Sequence, residues 1–200
     1  VGGLKFDETD RSSKRFNPLL AKAGQGSPSN PVKLAEMKDP TGRNHAAFPY
    51  LNEETGQFYI IGGDENFPWG VQATKNKPSN PRGGYHFMNF TDPNNPREDA
   101  IYEVPEAGSH NLWIYGDILL AGNYQGGLRI VDISGELLGD IYKQGREIAH
   151  YLSYHKDGRI PNAPMVWGAQ PYKDYIFFSD MNSGLYCVAY EDEQKTASAE

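Results

Sequence analysis

Two stretches of this chain repeat one pattern without a gap. The first reads GDILLAGNYQGGLRIVDIS and the second reads DYIFFSDMNSGLYCVAY. An offset of 57 positions carries Asp117 onto Asp174 and Gly127 onto Gly184. A repeat of this length is a small unit that cannot bury its own apolar residues, so neighbouring copies are expected to pack against each other.

Each copy predicts short strands separated by glycine-containing turns. The two clear copies begin at His110 and Trp167, and a looser third copy begins at His45. Short runs of five to seven residues, rich in apolar side chains and bounded by turn residues, are typical of strands. The predicted second and third strands cover 58–64 and 84–90 in the looser copy, 118–123 and 127–133 in the middle copy, and 175–180 and 184–190 in the last.

Antiparallel strands at a period of 40 to 60 residues favour a β-propeller, in which each sheet is one blade. We therefore predict an all-β fold, a β-propeller or part of one, with four-stranded blades and long loop insertions. The 22 glycines, 14 prolines and 13 tyrosines agree with many turns and strands. Since propellers have about four to eight blades and three copies are legible, the chain is expected to be the C-terminal part of a larger propeller.

The same reasoning divides the chain into three parts. Residues 1–31 are predicted to be a loop-rich extension or the end of a preceding blade, 32–191 the blades, and 192–200 a polar tail. Within 145–159, a common face for Ile148, Tyr151 and Leu152 indicates a short helix. Cys187 lies in a strand-like run and is expected to be a small buried core residue.

Charge and cysteine content exclude several classes of function. A net charge of −7 argues against nucleic-acid binding, which needs a basic surface. No apolar run reaches the ~20 residues of a membrane-spanning helix. With one cysteine, the chain can form neither an internal disulfide nor a thiolate metal cluster.

The run GGLRIVDIS resembles the repeats of the LVIVD family of bacterial β-propellers, in which a Gly-Leu-x-Ile-x-Asp-Ile-Ser strand precedes a turn. The residues that match that pattern are Gly127, Leu128, Ile130, Asp132, Ile133 and Ser134. The segment FTDPNNPRE resembles the exit of another repeat, and WGAQPYKDYIFFSDMNSGLYCV resembles a closing repeat. The resemblance implies an exported protein, located in the periplasm or outside the cell. Members mostly have no assigned activity, so the resemblance leaves the function open.

Five residues are candidates for a divalent metal site. His45 and His110 occupy equivalent places in two repeats, at the start of strands that would line a propeller's axial channel. Imidazole and carboxylate groups converging there can bind a divalent ion. We favour the alternative that each histidine bonds the backbone of a neighbouring blade, so the expected cofactor is none, with a divalent metal left open. The full candidate set is His45, Asp64, His110, Asn123 and Asp180.

Acidic residues in the turns are interpreted as structural. Asp132 and Asp92 can accept backbone N–H bonds from the turns that follow them. The sequence contains no G-x-S-x-G, H-E-x-x-H or phosphate-cradling glycine motif.

Aromatic residues at strand ends and in loops are the candidates for partner binding. Aromatic side chains bring large contact areas at a modest cost in entropy. The insertion ENFPWGVQATKNKPSNPR is the single best candidate segment, with a lid over its own blade as the alternative. The candidates are Phe67, Trp69, Trp113, Tyr124 and Trp167.

These observations favour a non-enzymatic, extracytoplasmic propeller that binds proteins or scaffolds an assembly. Its partners would be proteins in a larger complex, with peripheral membrane association through those partners and no membrane-spanning segment of its own. The alternative is a metal-dependent hydrolase or lactonase-like propeller with an axial metal site.

Overall fold

The computed structural model describes residues 33–41, 44–65, 83–105 and 107–190, and all of its regular structure is β. The predicted all-β class is therefore confirmed. No helix of the described residues has the length and apolar character needed to cross a membrane. The strands are β1 (Asn44–Leu51), β2 (Phe58–Asp64), β3 (Tyr85–Asn89), β4 (Arg97–Tyr102), β5 (Leu112–Tyr115), β6 (Ile118–Gly122), β7 (Leu128–Asp132), β8 (Gly139–Asp140), β9 (Glu147–Tyr151), β10 (Val166–Tyr172), β11 (Tyr175–Asp180) and β12 (Gly184–Ala189).

The strands form three sheets that follow one another along the chain. The first sheet has the order β1-β2-β3-β4-β8, the middle sheet β5-β6-β7-β9 and the last sheet β10-β11-β12. Neighbouring strands within each sheet pair antiparallel, except that the two-residue β8 pairs parallel with β4. Because β8 lies between β7 and β9 in the chain, the middle repeat contributes a short strand to the first sheet.

Two hydrophobic cores show how the sheets stack. The first core joins Tyr59 and Phe87 of the first sheet to Leu119 and Val131 of the middle sheet. The second core joins residues of the middle sheet, including Leu120, to the last sheet. Neighbouring residues along β6 face opposite sides of the sheet, as in any strand. The middle sheet is thus buried on both faces.

The sequence repeat is also a structural repeat. The offset of 57 residues places β6 on β11 and β7 on β12 to within one residue at most ends. The looser copy likewise supplies β1, β2 and β3 from the predicted places. Three stacked sheets do not amount to a closed ring, so the propeller itself stays a prediction.

Gly127 explains why the repeat keeps glycine before its third strand. The residue has a φ of +79°, and a Cβ atom there would lie 2.3 Å from the Tyr151 carbonyl oxygen. Gly184, its equivalent in the last copy, has a φ of +113°. Glycine is needed in both turns because other residues rarely adopt these angles.

The acidic turn residues act as predicted. Asp132 accepts a hydrogen bond from the backbone N–H of Ser134 at 2.8 Å, and Asp92 accepts one from Asn94 at 2.9 Å. Both carboxylates therefore hold the turn that follows a strand.

Two predictions are wrong. The segment expected to be helical contains β9, because its residues pair with β7 and leave Ile148 and Tyr151 exposed. Cys187 is exposed. It lies opposite Phe177 on the side of the last sheet away from the second core, whereas its neighbours Tyr186 and Val188 pack against that core. The ranges 1–31 and 192–200, given above as extension and tail, lie outside the described residues.

Candidate functional site

Three side chains meet where the first and middle sheets come together. His45 lies at the start of β1, Glu65 directly follows β2, and His110 precedes β5. Since β1 and β2 are antiparallel and Asn44 pairs with Asp64, His45 and Glu65 are at the same end of the first sheet. We call His45, Glu65 and His110 the open cluster, because two of its three members are exposed.

The open cluster has the spacing of a metal site. Its three ligand atoms lie within 4.8 Å of one another. His45 Nδ1 is 3.5 Å from one Glu65 oxygen, and His110 Nε2 is 3.7 Å from the other. Donors bound to one tetrahedral ion at about 2.0–2.2 Å lie about 3.3–3.6 Å apart. The cluster could therefore hold a divalent ion with little rearrangement.

The last sheet fixes the orientation of His110. Its ring stacks on Trp167 with centroids 5.0 Å apart, and its Nδ1–H donates to the Trp167 carbonyl oxygen at 2.9 Å. This bond leaves the Nε2 lone pair directed towards Glu65. Such a hydrogen bond, donated by the ring nitrogen that does not face the metal, is the usual way in which proteins orient a metal-binding histidine. It is also the contact with a neighbouring sheet's backbone that the sequence favoured.

A short hydrogen-bond chain holds Glu65. Trp167 Nε1 donates to the Tyr124 hydroxyl at 3.3 Å, and that hydroxyl donates to Glu65 Oε1 at 3.2 Å. Burial raises the pKa of Tyr124 to about 12, and the nearby Glu65 carboxylate adds to this effect. Burial also lowers the pKa of His110, although its bond to the Trp167 carbonyl acts in the opposite direction. At neutral pH the site therefore combines a phenol donor with a neutral imidazole.

Asp64 belongs to a second group on the other side of the first sheet, which we call the closed cluster: Asp39, Thr41, Asp64, His86 and Glu98. Asp64 Oδ2 lies 3.3 Å from His86 Nε2, and His86 Nδ1 lies 2.5 Å from Glu98 Oε1. Burial lowers the pKa of His86, but the two carboxylates outweigh it and raise the pKa to about 9. His86 is therefore an imidazolium at neutral pH when no metal is bound.

Asn123 and Asp180 have local structural roles. The Asn123 side chain donates to the Ala121 carbonyl at 3.2 Å. Asp180 accepts backbone N–H bonds from Met165 at 2.8 Å and Asn182 at 2.7 Å. Of the five predicted metal ligands, the structure thus brings together His45 and His110 only.

The partner candidates have different surroundings. Trp113 and Trp167 are 36% and 40% exposed, so both offer contact area. Tyr124 is fully buried, which removes it from any surface that a partner could contact. Phe67 and Trp69 lie outside the described residues.

Sequence reasoning missed Glu65 and His86. Glu65 had a signal, because it follows a predicted strand at the same end as His45. His86 lies inside an apolar strand, YHFMN, where a single histidine gives no sign of the two carboxylates that flank it in space.

Comparisons with known proteins assign no family. No protein-family profile matches the chain, and neither does any curated protein. A solved structure, that of the computationally designed Ika4 protein, matches with 10% sequence identity and a TM-score of 0.43. The match covers 74% of this chain and 66% of the designed one, just under two thirds. A likeness at this level carries no argument about function.

Proposed function

We propose that the chain is part of a propeller resembling the LVIVD-repeat proteins, and that it acts as a non-enzymatic protein-binding or scaffolding subunit. It would work in the periplasm or outside the cell and join a larger, membrane-associated complex through its partners. The stacked sheets and their repeat of 57 residues support the architecture. The surface of the last sheet supports the binding role.

The observation that carries the proposal is an apolar sheet face. Side chains of the last sheet alternate, and Ile176 and Phe178 point into the second core. Their neighbours form the opposite face, with the cross-strand pairs Tyr172–Tyr175, Tyr175–Ala189 and Phe177–Cys187. Leu185 on this face is 76% exposed. We call this surface the outer face: Tyr172, Tyr175, Phe177, Leu185, Cys187 and Ala189.

The composition of the outer face supports a binding role. The strand positions between these residues add Gln170 and Ser179, so no carboxylate or ammonium group lies among them. Lys173 is at the margin, with its ammonium 5.4 Å from the Tyr172 ring centroid. A contiguous apolar patch with a polar margin is typical of protein interaction sites. A second apolar sheet packed about 10 Å away would cover it.

The test is co-purification from the native membrane fraction with a variant of the outer face. We expect a partner subunit to co-purify with the wild-type protein and to be lost with Leu185→Lys, because an ammonium group would be buried at the interface. Tyr154→Lys is the matched control, since Tyr154 is 61% exposed in the loop after β9. A wild-type protein that is monomeric and captures nothing would exclude the proposal, as would equal capture by both variants.

The open cluster supports one alternative, a metal-dependent hydrolase or lactonase-like propeller. Three protein ligands leave a coordination position for water or substrate, as in catalytic zinc sites. Metal analysis of the purified protein tests this: a divalent-ion content that falls by one per chain in Glu65→Gln would favour it. His155→Gln is the control, because His155 is an exposed histidine outside the cluster. If Glu65→Gln holds as many ions per chain as the wild-type protein, the open cluster is not the site.

A further inference from the structure

The closed cluster contains a second group of potential metal ligands. We propose that Asp39, Asp64 and His86 bind a divalent transition-metal ion of the Zn²⁺ class. The ion would be structural, and it would fasten the segment before β1 to the first sheet. This site is separate from the open cluster and does not depend on the proposed function.

The geometry fits one ion. One donor atom from each of the three residues lies within 4.8 Å of the others. The distance of 3.3 Å between Asp64 Oδ2 and His86 Nε2 equals the separation of two ligands on a tetrahedral ion, about 3.3–3.6 Å. One imidazole and two carboxylates suit Zn²⁺ or Mn²⁺ better than Ca²⁺, which prefers oxygen ligands alone.

Asp64 supplies an independent sign of a missing ligand. Its side chain is fully buried, and its Oδ1 atom has no hydrogen-bond partner among the residues that the structure describes. Leaving a buried carboxylate oxygen unpaired is costly, and such atoms are rare in folded proteins. A cation bound to the Asp64 carboxylate would offset that cost.

Glu98 contacts the ring nitrogen of His86 that does not face Asp64. With His86 Nδ1–H donating to Glu98 at 2.5 Å, Nε2 is the ring atom directed towards Asp64, and a metal ion bound there would take the place of the Nε2 proton. A carboxylate, a histidine and a metal in line form a common motif of zinc sites, and the outer carboxylate typically contributes ten- to a hundredfold in affinity. Glu98 is thus a positioning residue.

Thr41 places a fourth potential donor atom nearby. Its hydroxyl donates to Asp64 Oδ2 and lies 3.0 Å from Asp39 Oδ1 and 3.4 Å from His86 Nε2. The hydroxyl oxygen is therefore close to all three proposed ligands. Since Asp39 and Thr41 lie on the segment before β1, whereas Asp64 and His86 lie on β2 and β3, a shared ion would join that segment to the sheet.

Equilibrium dialysis of the full chain against Zn²⁺ tests the site. The background protein carries His45→Ala and Glu65→Gln, two changes at exposed positions that disable the open cluster. We expect this background to bind one Zn²⁺ per chain. Asp39→Asn should weaken binding at least tenfold, and Glu98→Gln should raise the Kd by about ten- to a hundredfold.

Two controls keep the result interpretable. Asp92→Asn removes a carboxylate from an exposed turn and should leave Zn²⁺ binding unchanged. Asp64→Asn is the most direct change, but Asp64 is fully buried and the variant could fail to fold, so half-buried Asp39 carries the test. In the background protein, Zn²⁺ should also raise Tm, and Asp39→Asn should reduce that rise.

Either of two results would overturn the proposal. The first is that the background protein binds no Zn²⁺ at micromolar concentrations, in which case the proton on His86 supplies positive charge to the cluster. Alternatively, Asp39→Asn and Glu98→Gln could bind Zn²⁺ as tightly as the background, which would place the ion elsewhere.

Discussion

The open and closed clusters each place a histidine beside carboxylates at one end of the first sheet, but they surround it differently. His110 faces a single carboxylate, that of Glu65 at 3.7 Å, and stacks on Trp167. His86 lies between two carboxylates, at 3.3 Å and 2.5 Å. Burial lowers the pKa of His110, whereas the paired carboxylates raise the pKa of His86 to about 9. The number of nearby carboxylates thus decides which buried ring carries a proton.

The largest difference between the clusters should be in their contribution to stability. His86→Leu would leave Asp64 buried without its cationic partner, and we expect it to lower the free energy of unfolding by about 3–5 kcal/mol. His45→Leu, at an exposed position of the open cluster, should change it by about 0.5 kcal/mol or less. Urea unfolding followed by tryptophan fluorescence measures both. Equal losses would mean that the closed cluster is no more important to the fold than the open one.

The two histidines should also respond to pH in opposite ways in metal-free protein. The pKa of His86 is higher in the folded state than in the unfolded chain, so its contribution is complete below about pH 6.5 and is lost as pH rises through about 9. The loss should be roughly 3 kcal/mol. The pKa of His110 is lower in the folded state, so its effect is a loss of stability as pH falls below about 6.5.

Urea unfolding between pH 5 and pH 10, with a chelator present, measures this dependence. His86→Leu should abolish the loss above pH 7 and keep the acid limb. A wild-type protein whose stability is constant from pH 7 to pH 10 would contradict the assignment of a proton to His86.

The open cluster depends on a close approach that the closed cluster does not need. A Cβ atom on Gly122 would lie 2.6 Å from the Trp167 carbonyl oxygen, the same atom that holds His110. We expect Gly122→Ala to cost about 1–3 kcal/mol by pushing the last sheet away. Gly116→Ala is the comparison: its φ of +57° is strained for alanine, but nothing lies within 4 Å.

The proton NMR shift of the His110 ring distinguishes displacement of the last sheet from local backbone strain. Only Gly122→Ala should move Trp167 and so reduce its ring-current effect on His110. The His86 signals should be unchanged in both variants. A shift in His86 as large as that in His110 would show that the clusters are coupled.

The smallest expected effect concerns the hydroxyl that holds Glu65. Tyr124→Phe removes one hydrogen bond to Glu65 and one from Trp167 and should cost about 1 kcal/mol. In Zn²⁺ titrations it should weaken the open cluster and leave the closed cluster unchanged. Weaker Zn²⁺ binding at the closed cluster, with the open cluster unchanged, would contradict the assignment of the Tyr124 hydroxyl to the open cluster.

The sequence predicted the strands of the repeat well because their turns are local. Gly127 and Gly184 mark turns that only glycine makes easily, and the strand that follows each is fixed by that turn. The strand β9 was not predicted, and neither was the pairing of β8 with the first sheet. The two residues of β8 are held by pairing with β4, and the pattern of β9 also fits a helix, so tertiary contacts decide both.

The candidate site was predicted in part for a similar reason. His45 and His110 occupy equivalent repeat positions, so the repeat itself indicated that they meet. Asp64 and Glu65 are adjacent in sequence, yet they join different clusters on opposite sides of the first sheet, because successive side chains near a strand end point in opposite directions. The partners of His86 come from three separate segments, which the repeat does not relate.

The exposure of Cys187 gives the outer face a natural reporter. It is the sole cysteine among the 200 residues, and it lies on the edge strand β12, directly opposite Phe177 of that face. A thiol-reactive fluorophore or spin label would therefore attach at one defined point without any engineered mutation. Its rate of attachment would measure how much of the time the face is covered, in the purified protein or within an intact assembly.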